Sequence, residues 1–106
     1  MKPIEELIVV FEEARALVTR TGNDFTWSSW EDGKEASAEL DRIIGALRRG
    51  ELLPRVELEA LFVVSGPMQE VALNSGWSRD FLALAARFET AAEKTYPRSS
   101  TAGLES

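Results

Sequence analysis

Three stretches of this chain repeat apolar side chains at three- and four-residue steps, and that period limits the fold more than any other feature. In residues 3–21, Ile4, Leu7, Ile8, Phe11, Ala14, Leu17 and Val18 fall on one face of a helix. Pro3 suits its first turn, Glu5 and Glu6 sit where the helix dipole favours anions, and Gly22 is placed to end it. A second helix is expected from near Ser29, because Ser28 and Glu31 match a capping box. Ala36, Leu40, Ile43, Ile44 and Leu47 form its inward face, and Gly50 follows as a stop. A third helix runs from Ser78, as N-cap, to about Thr95, with Phe81, Leu82, Leu84, Ala85, Phe88 and Ala92 inward and Pro97 as terminator. Three one-sided helices need a common apolar surface to cover.

A small sheet is the expected surface. Val56, Leu58, Ala60, Phe62 and Val64 alternate at period two, as do Val71 and Leu73 after Ser65-Gly66-Pro67. This pattern predicts a β-hairpin, 55–64 paired with 68–74, turning at Ser65-Gly66. A helix starting at Pro54 is the competing reading of the same residues. Asp24-Phe25-Thr26-Trp27-Ser28 is short and aromatic, either an edge strand over 24–28 or an irregular loop. The fold class expected is therefore α+β: three amphipathic helices on one face of a small antiparallel sheet, in the order α-β-α-β-β-α. At 106 residues the chain has room for one core. Residues 1–96 form that single domain, and the Ser/Thr/Gly-rich residues 97–106 are expected to be a disordered tail.

A two-residue turn would put Phe62, Ala60 and Leu58 on the core face of the hairpin. The reverse face then carries Glu57, Glu59 and Glu70 at one end and Leu61, Val63 and Met68 at the other. Three apolar side chains together on a surface mark a candidate interface unless another helix or the tail covers them. The interface reading gives a homodimer, two hairpins pairing edge to edge or back to back.

Composition narrows the chemistry. The chain has neither cysteine nor histidine, which excludes disulfides, thiolate nucleophiles, imidazole catalysis and Cys/His zinc sites. No cofactor motif and no spacing of metal ligands is present; Asp24 to Asp32 lacks the alternating ligands and closing glutamate of a calcium loop. A net charge of −6 argues against nucleic acid or an anionic membrane as partner. Arg42, Arg48, Arg49 and Arg55 are the one basic concentration, diluted by nearby acids. The first residues carry acid where a signal peptide carries base, and no apolar run approaches the ~20 residues of a membrane span, so a cytoplasmic location is expected. Arginine outnumbers lysine and alanine is frequent, a habit of GC-rich bacterial genomes.

The remaining signal is aromatic. Trp27 and Trp30 flank Ser28-Ser29, and Trp77 precedes a helix start with Arg79 two residues on. All three tryptophans sit at junctions, where indole either staples the helix entry or presents a partner or ligand surface. Trp77 with Leu82 fits the staple spacing. Asp24, Glu31 and Asp32 lie near Trp27, the arrangement a carboxylate-based enzyme would need, but capping, dipole and turn roles explain each of them. The function expected is a small non-catalytic protein–protein interaction domain that self-associates. One alternative is an acidic inhibitor or immunity-type binder of a basic partner; another is a minor enzyme using Asp24 and Glu31 beside Trp27.

Overall fold

A computed structural model describes residues 2–26, 28–63 and 66–96. Five helices account for its regular structure: α1 (Pro3–Val18), α2 (Gly33–Arg48), α3 (Arg55–Glu59), α4 (Pro67–Ser75) and α5 (Ser78–Thr95). No strand occurs among the described residues, so the expected α+β class is replaced by an all-helical fold.

The first helix forms for the reasons its sequence gives. Pro3 occupies its first position, where a missing N–H costs nothing, and the Lys2 amide donates to Glu5 Oε1 at 3.2 Å. Leu7, Val10, Phe11, Ala14, Leu17 and Val18 are buried. The helix stops three residues short of the expected end, and Gly22 adopts the left-handed φ of +90° in the loop beyond. The start of α2 also differs from expectation. Its N-cap is Asp32, whose carboxylate accepts from the Glu35 amide at 2.9 Å, while Glu35 reaches back to the Glu31 amide. Ser28 is no cap; it donates to the Pro67 carbonyl and accepts from the Trp30 amide.

The segment expected as a hairpin is two short helices. Leu58 and Leu61 are buried with Phe62 packed beside them, and Met68, Val71 and Ala72 are buried on α4. Both sets follow steps of three and four, the helical period. Val56 and Ala60, which the hairpin would turn inward with Leu58, are exposed, Val56 to 71%. Gly66 and Pro67 supply the N-cap and first position of α4 rather than a strand turn. The 24–28 segment is not a strand in its described residues: the Ser28 amide bonds back to the Phe25 carbonyl, and the Thr26 amide to Asp24.

The last helix is close to expectation, with two corrections at its start. Trp77 is the N-cap and Ser78 the first helical residue. Leu82, expected inward and as the staple partner of Trp77, is 62% exposed. Gly76, at φ +84°, ends α4 and lets the chain reverse directly into α5. Around the core, α1 packs against both α2 and α5, and α4 against α5. Ion pairs Glu12–Arg48 and Arg15–Asp41 make α1 and α2 antiparallel; Glu6–Lys94, Glu13–Arg87 and Arg20–Asp80 do the same for α1 and α5. One apolar cluster draws on all five helices. Residues 97–106, expected as a disordered tail, lie outside the described residues.

Candidate functional site

The loop from α1 to α2 is built from polar side chains that fix it to the α4–α5 corner. Asn23 donates to the Leu17 carbonyl and accepts from Trp77 Nε1, both at 2.8 Å. The Asp24 amide donates to Ser75 Oγ, and Ser28 Oγ to the Pro67 carbonyl, so the loop touches both ends of α4. Trp30 is buried, with its Nε1 donating to Glu39 at 2.9 Å. Burial with a satisfied N–H makes Trp30 and Trp77 core residues with a polar tip, not an exposed docking surface. Trp27 lies outside the described residues. Arg79 is exposed on the first turn of α5.

This loop walls an open hollow of about 670 Å³, lined in part by Asp24, Phe25, Trp30, Glu31 and Asp32. The structure thus brings together the carboxylates that the enzyme alternative needs. Their hydrogen bonds are local, however. The Thr26 hydroxyl and amide both donate to Asp24, and these bonds hold its carboxyl below the usual aspartate range. Asp32 caps α2. An ionised turn aspartate is a poor general acid at neutral pH. Among the described residues no group of three acidic side chains is placed to hold a metal ion.

The interface expected on the hairpin does not assemble as drawn. Leu61 and Met68 are in the core, and Val63 alone of the three is exposed. Among the described residues the large exposed apolar side chains are instead Leu52, Val56, Val63, Leu73 and Leu82, all within residues 52–82. Sequence reasoning missed four of these because the period-two pattern assigned Val56 and Leu73 inward, the α5 stripe took in Leu82, and Leu52 belonged to no pattern. Asn23 was missed too; its partner is 54 residues away and nothing local signals it. The basic concentration is neutralised: Arg42 pairs with Glu57, Arg48 with Glu12, Arg49 with Glu51, and Arg55 with Glu59 and Glu93.

Among the described residues no helix is long and apolar enough to cross a membrane. Comparison of the chain with known protein families, with curated proteins and with solved structures finds no match.

Proposed function

We propose that the chain is a non-catalytic protein–protein interaction domain, and that its partner is a second copy of itself. One observation carries this reading: among the described residues, the large exposed apolar side chains all fall within residues 52–82, while residues 6–20 are tied into ion pairs with α2 and α5. Large apolar side chains left in water favour association, and charged, paired surfaces resist it. Helix α4 carries a single charge, Glu70, so two copies of a chain with net charge −6 meet least repulsion there. Sedimentation velocity over a range of concentrations tests the proposal. The parent chain is expected to shift from monomer to dimer as concentration rises. A Val56→Glu/Leu73→Glu variant is expected to stay monomeric with unchanged helix content. A parent that sediments as monomer at every concentration overturns self-association.

A further inference from the structure

Ion pairs along the α1–α5 groove follow a heptad spacing on both helices. Glu6, Glu13 and Arg20 succeed one another at seven-residue steps at and just beyond α1, and Asp80, Arg87 and Lys94 do so on α5. They meet as Glu6–Lys94 at 4.0 Å, Glu13–Arg87 at 2.6 Å and Arg20–Asp80 at 3.7 Å. The buried seam beneath them has the same period: Leu7 and Ala14, Val10 and Leu17 on α1, Phe81 and Phe88, Leu84 and Ala91 on α5. A seam of that kind stays apolar against apolar when one helix slides by a heptad, so hydrophobicity alone discriminates poorly between registers.

The charges do discriminate. Sliding α5 one heptad one way sets Glu13 against Lys94 but Arg20 against Arg87. Sliding it the other way sets Glu6 against Arg87 but Glu13 against Asp80. Among the antiparallel registers, only the observed pairing of these six residues contains no like-charge contact. We infer that they form a charge code that selects the register of antiparallel α5 on α1 as the two helices come together. Opposite charges reward the native pairing, and each slipped antiparallel register carries a repulsion that a neutral surface would lack.

The code makes a directional statement about Arg87→Glu. That change puts Glu13 against a glutamate in the native register. It removes the clash from the first slipped register, where residue 87 now faces Arg20. The absence of native cysteine allows a direct readout by engineered disulfides during oxidative refolding of the full chain. Val9 and Thr90 line one part of the groove, and Ala16 and Ala83 the next, so Val9→Cys/Thr90→Cys and Ala16→Cys/Ala83→Cys report the native register. Ala16→Cys/Thr90→Cys reports the slipped one. In the Arg87→Glu background the slipped crosslink is expected to rise roughly fivefold or more over the parent, an effect of the size a few surface charges can exert. The Glu13→Arg/Arg87→Glu double reversal, which restores every opposite-charge contact, is expected to return it to the parent level. A slipped crosslink that stays at the parent level in the Arg87→Glu background, or that rises equally in the double reversal, overturns the inference and leaves register to core shape alone.

Discussion

Asn23 joins two parts of the chain that the backbone keeps far apart. Its side chain is acceptor to Trp77 Nε1 and donor to the Leu17 carbonyl, both partly buried bonds. Asn23→Ala strands both partners, and the cost expected is about 1–3 kcal/mol by urea denaturation. In a double-mutant cycle with Trp77→Phe, the two losses should be less than additive, because they remove one shared bond. Strict additivity would show that the bond contributes nothing. Glu13 gives a different residue-scale test. The hydrogen bonds from Arg87 lower its pKa, against a smaller opposing effect of burial. A folded pKa below the unfolded one means that the stabilisation is fully present above the unfolded glutamate value of about 4.3, and fades as pH falls through the lower folded value. Glu13 is half-exposed, so solvent screening keeps the effect small. Glu13→Gln is expected to flatten the acid side of the stability–pH curve. Equal acid slopes for parent and variant would contradict the role given to the pair.

Among the elements, α3 and the turn after it are secured by aromatic stacking. Phe62 stacks on Phe88 at 4.5 Å and on Phe81 at 6.3 Å, and meets Phe11 edge-on at 5.7 Å. Phe62→Ala removes all three contacts; because the ring is only partly buried, the loss expected in thermal or urea unfolding is about 3 kcal/mol, the lower end for a buried phenylalanine. Gly66 has no side chain because none fits: a Cβ there would lie 3.0 Å from the carbonyl oxygens of both Ala60 and Val63. Gly66→Ala is expected to cost about 1–3 kcal/mol through overpacking, and an unchanged denaturation midpoint would refute the close approach. The elements differ in how far their sequences disclosed them. Helices α1, α2 and α5 are long enough for the three-and-four spacing to exclude a strand. Residues 55–75 are not, and Leu58, Phe62 and Val71 satisfy both periods. Leu61 and Met68 decide the matter, since they complete the helical pattern and break the alternating one, but Gly66-Pro67 reads equally as a strand turn and a helix start. The caps shifted for a similar reason. Ser28 and Asp32 are both good N-caps, and a tertiary bond to the Pro67 carbonyl with a local one from the Trp30 amide took Ser28 away from α2. Trp30 and Trp77 lie at helix junctions, yet their burial depends on contacts that no local pattern reveals.

Across the whole molecule, ion pairs lace α1 to its neighbours, and the exposed apolar side chains stand among further pairs such as Arg42–Glu57 and Arg55–Glu59. Among the described residues, five ion pairs join residues 6–20 to α2 and α5, and the large exposed apolar side chains lie within 52–82. The exposed apolar side chains Val56, Val63 and Leu73 are the place to look for a partner. Amide NMR spectra of the labelled parent chain, recorded on dilution from millimolar to micromolar, test this most directly. The account predicts concentration-dependent shifts at Val56, Val63 and Leu73, with Val9 and Ala16 on the α1 side unmoved. Spectra that do not change on dilution, or shifts centred on α1, would contradict it.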